Sequence, residues 1–317
     1  IVSGFPLQMA ALLGNHELVD LCTGRICCWM ITHPDKGSDV TMVDVRPELP
    51  AGQQGNKGNM WGRLQGDEIV INGQCSAWVS NGAVAQVALG YLSAEYEDGF
   101  FGRDGNPYGM AVIIPLDLPG VSKGKPLEKI GQRALPQGEI YFDNVRVPKR
   151  FAVALKDDYY GNMTSAWSFA GTHMGQAFTG VARAAFELAL QYCHERKQGG
   201  RTLIDHQLTR YRLGDMLRRV ELCRSVARRS LAYARLSPLT HPYVTAAGKV
   251  TVTQEAMKVV DEAFQLFGGA GMSREYPIEK LYRDARVALI EDGENTILTM
   301  RLGVLAQQLY AEGWSQA

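Results

Sequence analysis

The strongest constraint on this chain is a change of hydrophobic period part way along it. From about residue 25 to 148, apolar residues come in short runs broken by Gly and Pro, the pattern of β-strands. From about residue 163 onward they recur at helical spacing. The two periods bury different kinds of face. The chain is therefore expected to build a β unit and then a bundle of about four long helices. Residues 68–73 (EIVING) read as a short strand closed by an Asn-Gly hairpin turn. Residues 110–115, 138–142 and 145–148 add β-rich runs, and residues 47–60, rich in Gly, Gln and Asn, read as a mobile surface loop. In the helical half, residues 182–192 are almost unbroken helix formers. Leu213, Leu217, Val220, Ala227 and Leu231 form one apolar stripe, and Val252, Ala256, Val259, Ala263 and Leu266 another. Pro242 suits the first turn of the second of these helices, and a further helix is expected over 296–312. Residues 1–24 read as the end of a helical region stopped at Gly14. The expected domains are 1–24, 25–150 and 151–317, an α+β chain.

Composition narrows the function classes. The 33 basic residues balance 33 acidic ones, so bulk charge points to no particular partner. No apolar run reaches the roughly 18–20 residues of a bilayer span. The chain opens on Ile1 rather than Met, which reads as a fragment or a processed product. Six cysteines, with Cys27 and Cys28 adjacent, make neither a disulfide framework nor a metal spacing. Reduced thiols point to the cytoplasm, or to the mitochondrial matrix in a eukaryote. His33, His173 and His206 also lack metal-ligand spacing and read as core, loop or capping residues.

Several segments carry chemistry. Residues 265–271 (QLFGGAG) end a helix in a glycine cluster. A further helical stretch then ends in Glu291, Asp292 and Glu294 around Gly293. A carboxylate on a sharp Gly turn between helices is a candidate positioned base. Residues 32–39 (THPDKGSD) read as a polar loop, or as one offering hydroxyls and backbone N–H groups to a polar ligand. Trp78 precedes Ser80 by two; it reads as core, or as an aromatic plane beside a hydroxyl for a flat heteroaromatic ring. Residues 194–200 (HERKQGG) place Arg196 at a helix end, where a cation opposes the dipole or meets a diphosphate. Residues 201–236 hold nine arginines against three acids, either a solvated face or a patch for a polyanion.

In order and spacing, THPDKGSD, WVSN at 78, FDNVRVP at 142, HERKQGG and residues 265–293 together resemble the acyl-CoA dehydrogenase family of flavoproteins. The resemblance implies an N-terminal helical domain, mostly absent here, a middle β-barrel and a C-terminal four-helix bundle. It implies FAD, with its ring near Trp29, Thr32, Trp78 and Ser80 and its diphosphate near Arg196, Gln265 and Gly269 of a neighbouring subunit. A homotetramer, an acyl-CoA substrate and an electron-transfer flavoprotein as acceptor follow as expectations, with no nucleic-acid partner. Ser38 would border the acyl or pantetheine channel, and Asp292 would be the base that takes the α proton.

The chain departs from the family pattern at several positions. Asp292 stands where a Glu is usual, shorter by one methylene, about 1.5 Å of reach. A misplacement of ~1 Å can cost on the order of a hundredfold in rate. Ala170 occupies the alternative base position on the first bundle helix. Glu294 replaces a small hydroxyl residue against the flavin, and Gly199 a Phe. No counterpart of a substrate-side Arg appears near Gly171. An Asp base also occurs in relatives acting on nitroalkanes or on cyclic acyl-CoA thioesters. Thr299, seven residues after Asp292, stands where the nitroalkane enzymes carry Arg. Two rivals remain: an oxidase or monooxygenase of the same fold, which oxygen uptake separates, and a DNA-associated flavoprotein, which salt-dependent gel shifts separate.

Overall fold

Strand β4 (Val87–Glu95) organises the first half of the molecule, because it carries eight buried residues in succession. Alternation fails there because β4 is covered on both faces, which favours a continuous apolar run. In this computed structural model, residues 3–42, 49–236, 242–311 and 313 are described. They form two units, residues 1–129 with 133–164 and residues 130–132 with 165–317.

The first unit opens with α1 (Gly4–Leu12) and α2 (His16–Cys22), whose N-cap Asn15 accepts the Leu18 N–H. Its strands are β1 (Cys27–Met30), β2 (Met60–Gln65), β3 (Glu68–Gln74), β4, β5 (Gly109–Pro115), β6 (Val121–Lys123), β7 (Ile140–Pro148) and β8 (Ala152–Ala154). They make an eight-stranded mixed sheet along the path β6-β7-β3-β2-β4-β5-β8, with β1 beside β4. One edge of β4 is shared: β1 pairs parallel with Val87–Gly90 and β2 parallel with Ser93–Glu95.

Two details correct the sequence reading. Asn72-Gly73 is not a turn. Both residues lie inside β3, and the hairpin between β2 and β3 closes at Gly66-Asp67, with Gln65 opposite Glu68. Gly73 takes φ +100°, and a Cβ there would sit 1.6 Å from the Asn59 carbonyl oxygen. The glycine serves an irregular step in the pairing with β7. The runs at 138–142 and 145–148 are likewise one strand, β7, with Asn144 at φ +51°. Of the loop expected at 47–60, residues 47 and 48 lie outside the described residues; 49–59 carry no strand or helix.

The second unit contains most of α3 (Tyr159–Glu195), a small hairpin of β9 (Lys197–Gln198) and β10 (Arg201–Thr202), α4 (Gln207–Leu236), α5 (Tyr243–Phe267), α6 (Ile278–Ala285) and α7 (Asn295–Ala311). Its core joins Phe178, Ala182, Ala185 and Ala189 of α3 with Met216 and Val220 of α4 and Val259, Val260 and Ala263 of α5. Alanines along α3 let the helices approach closely. The α4 stripe differs from the expected one: Leu217 is exposed, and Met216 and Cys223 take the buried line with Leu213, Val220 and Ala227. Pro242 sits one position before α5 as its cap residue. Each large apolar side chain buried along this line contributes about 1.5–3 kcal/mol.

All six cysteines are buried and unpaired. Cys22, Cys27, Cys28 and Cys75 lie in the first unit, and Cys193 and Cys223 in the second.

Candidate functional site

In the first unit, three residues named from sequence share one polar network. The Thr32 and Ser76 hydroxyls lie 2.6 Å apart, and the Ser76 N–H donates to the Thr32 carbonyl at 2.9 Å. Ser76 Oγ accepts the Trp78 N–H at 3.3 Å. Gln137 Nε2 donates to the Trp78 carbonyl at 3.0 Å and to Ser80 Oγ at 3.3 Å. Asn81 Nδ2 ties the same loop to β1 through the Cys27 carbonyl at 3.1 Å. The Trp78 ring is 64% exposed, so it is not core; it offers a plane beside hydroxyl donors. Trp29, placed by resemblance beside a ring ligand, is buried in this unit, stacked on Phe5 at 4.6 Å and edge-on to Tyr91. Ser38 is half-buried at the start of the one-turn helix Ser38–Met42, where its carbonyl accepts the Thr41 hydroxyl at 2.7 Å. A depression of about 660 Å³ lined by Asp67, Lys149 and Arg150 shares none of these residues.

The second unit holds the acidic turn. Asp292 takes φ +51°, a left-handed conformation that costs a non-glycine residue about 1–2 kcal/mol. Gly293 follows at φ +92°. Burial pushes the Asp292 carboxyl up to about 6, against the opposing pull of Lys249 and His173. The flanking acids are engaged. Glu291 Oε1 accepts from Gln132 Nε2 at 3.3 Å. Glu294 caps α7: Oε2 accepts the Thr296 and Ile297 N–H groups at 2.9 and 3.1 Å, and Oε1 the Thr296 hydroxyl at 3.0 Å. These donors hold the Glu294 carboxyl below its ordinary value.

The sequence reading missed Lys249. It is 1% exposed on α5, and its ammonium donates to the Gly293 carbonyl at 2.7 Å and to Asn295 Oδ1 at 2.8 Å. Asn295 in turn donates to Thr253 Oγ1 at 3.0 Å, and Thr253 donates to the Lys249 carbonyl at 2.8 Å. Burial pulls Lys249 down to about 8, while Asp292, Glu291 and Glu294 pull it up. A signal existed: Lys249 stands three before Val252 and seven before Ala256, on the buried stripe itself. His173, on α3, gives its Nδ1 to the Phe169 carbonyl at 2.7 Å.

The residues expected near a diphosphate gather at two helix ends. Tyr192, in the last turn of α3, stacks on Phe267, the last residue of α5, at 4.2 Å. Exposed Arg196 follows the first, and exposed Gln265 precedes the second. Gly268 ends α5 at φ +57°, its N–H bonded to the Gln265 carbonyl, as helix-ending glycines do. A Cβ at Gly269 would meet nothing within 4 Å, so its backbone is open to a ligand. The arginine-rich stretch is largely an ion-paired face: Arg218 and Arg219 hold Asp215 at 2.7 Å, Arg219 reaches Glu255, and Arg224 meets Glu221. Those pairs account for much of the charge that suggested a polyanion.

Comparison with known proteins agrees with both halves. The acyl-CoA dehydrogenase middle domain matches residues 28–145, and the acyl-CoA dehydrogenase C-terminal domain matches residues 166–306. A glutaryl-CoA dehydrogenase of Desulfococcus multivorans is 32% identical over 272 residues, covering 85% of this chain and 64% of that protein. A cyclohexane-1-carbonyl-CoA dehydrogenase of Geobacter metallireducens is 28% identical, covering 98% and 76%. The chain thus spans just under two thirds of the first relative. A solved putative acyl-CoA dehydrogenase from Mycobacterium smegmatis has the same fold, with a TM-score of 0.82 at 24% identity, covering 98% of this chain and 76% of that one. With both domain matches in register with the sheet and the helical bundle, the chain belongs to the acyl-CoA dehydrogenase family.

Proposed function

We propose that this chain belongs to an FAD-dependent enzyme that dehydrogenates an acyl-CoA thioester between its α and β carbons, with Asp292 as base. The observation that carries the reading is the Asp292 turn. A carboxylate with a value near 6, on a rigid left-handed turn between helices, is ionised at neutral pH yet still a competent proton acceptor. The donor sets fit the cofactor. Trp78 supplies an exposed plane, Thr32 and Ser80 supply hydroxyls, and Arg196, Gln265 and the open Gly269 suit a diphosphate. FAD, when bound, supplies the hydride acceptor. Asp292 takes the α proton, and the rest of its turn holds that carboxylate in place. Trp29 supports the site from within the sheet unit, and Ser38 borders the acyl channel. Glu294 caps α7 and would meet the flavin when that cofactor is bound.

The same reading extends to a homotetramer with shared flavin sites, an electron-transfer flavoprotein as acceptor and a cytoplasmic or matrix location. It takes residues 1–24 as the end of an N-terminal helical domain, 25–150 as a β domain and 151–317 as a helical domain, although β8 (Ala152–Ala154) pairs in the sheet and the first unit runs to residue 164. Glutaryl and cyclohexane-1-carbonyl thioesters, acted on by the named relatives, join straight-chain ones as candidate substrates.

The test is anaerobic bleaching of the flavin in the full-length protein against that panel of thioesters. The protein should carry about one FAD per chain, by the family stoichiometry, and one thioester class should bleach it. Asp292→Asn should keep FAD and substrate binding and lose flavin reduction by a hundredfold or more, on the order expected for removing a general base. Full reduction rates in that variant would remove Asp292 from the role.

A further inference from the structure

Lys249 stands out among the groups the proposed reaction does not yet use. A buried ammonium is costly unless it is both paired and hydrogen-bonded. This one spends two donors on the loop that carries the base, one on the carbonyl of Gly293 and one on Asn295, the first residue of α7. Thr253 closes the set from one helical turn further along α5, bonding both to the Lys249 carbonyl and to Asn295. Its aliphatic stem packs where α3 has Gly171: a Cβ at that glycine would lie 3.5 Å from Lys249 Cβ. The acceptors fix the backbone on the C-terminal side of Asp292, the residue held at φ +51°. The charged groups facing the ammonium are Asp292, Glu291 and Glu294, and within the second unit those facing Asp292 are Lys249 and His173.

We propose that Lys249 is the positioning residue of the base: its ammonium clamps the Asp292-Gly293 backbone in the left-handed turn and sets the electric field at the Asp292 carboxylate. The proposal rests on the reading of Asp292 as the base. The opposing influences on the two groups fit it, since burial raises the acid and lowers the amine while each charge favours the other. The clamp also bears on the shorter side chain. An Asp has less reach with which to absorb an error in its backbone, so fixing the Gly293 carbonyl fixes the carboxylate.

The experiment uses the full-length, FAD-loaded protein. Asp292 is titrated by infrared difference spectra, each background being measured against its own Asp292→Asn partner. Lys249→Gln keeps an amide donor but loses the charge, and its Asp292 midpoint should rise by about one pH unit or more, as for a carboxylate losing an adjacent cation. The acidic limb of flavin reduction by the best acyl-CoA should move by the same amount. Lys249→Arg, which keeps the charge, should restore the midpoint. If Lys249→Gln fails to fold, Lys249→Met, which removes the donor along with the charge, should shift the midpoint in the same direction. An unshifted midpoint in either folded neutral variant, whatever happens to its melting temperature, overturns the proposal. A shifted midpoint with undiminished reduction in Asp292→Asn leaves Lys249 as the clamp and removes Asp292 as the base.

Discussion

At Asp292 both the backbone and the side chain are held away from their ordinary states, and this has a measurable effect on folding. Its carboxyl is raised from 3.8 to about 6, so between those values the folded chain holds more protons there than the unfolded one. The charge therefore reduces stability progressively as pH rises from about 4 to 6, and fully above that. Asp292→Asn should melt with wild type near pH 4 and above it at pH 7, as read by thermal melts at both values. Equal melting at both would show that the fold does not disfavour the charged form of this carboxyl. Asp292 was legible from sequence because a Gly turn between helices draws attention to its acids. Lys249 was not, because a lysine inside a helix is read as solvated by default. Only its place on the apolar stripe of α5 argued otherwise. Trp78 was readable as either wall or core, and its exposure decided between them.

Elements were most legible where local pattern and packing agree. The stripe along α5 is one such case. Along α4 the line slips by one residue, Met216 in place of Leu217, because leucine and methionine are both apolar and only the neighbouring helices select the face. The Asn-Gly signal at 72–73 failed for a tertiary reason: the Asn59 carbonyl crowds Gly73, and Gly66-Asp67 already provides the two-residue loop. The capping role of Glu294 was missed because Ser, Thr, Asp and Asn are the usual caps. Glu294→Ala should cost about 1 kcal/mol, the usual worth of a cap, in urea unfolding. A loss of FAD affinity with it would place Glu294 against the cofactor as well. At the end of α3, Arg196→Ala should weaken FAD binding severalfold or more, as removing a charge-assisted contact to a diphosphate does. Unchanged binding by fluorescence titration would leave Arg196 as a helix-end charge only.

On the scale of the whole chain, the order of a β unit and then a helical unit was plain, because periods of 2 and 3.6 do not resemble each other over a hundred residues. The pairing within the sheet was not. Strand β4 takes both β1 and β2 as parallel neighbours along one edge, a long-range choice that no local run encodes. The family order of motifs supplied the order of domains but not this pairing. The buried thiols carry a further consequence. None can meet an alkylating reagent while the chain stays closed, so each is a silent clock that starts when its surroundings open. Four clocks sit with the sheet and two with the helices. Pulse alkylation in mild urea, read peptide by peptide, should therefore report the two halves on separate timescales if they open independently. A single shared labelling rate at all six positions would show one cooperative opening.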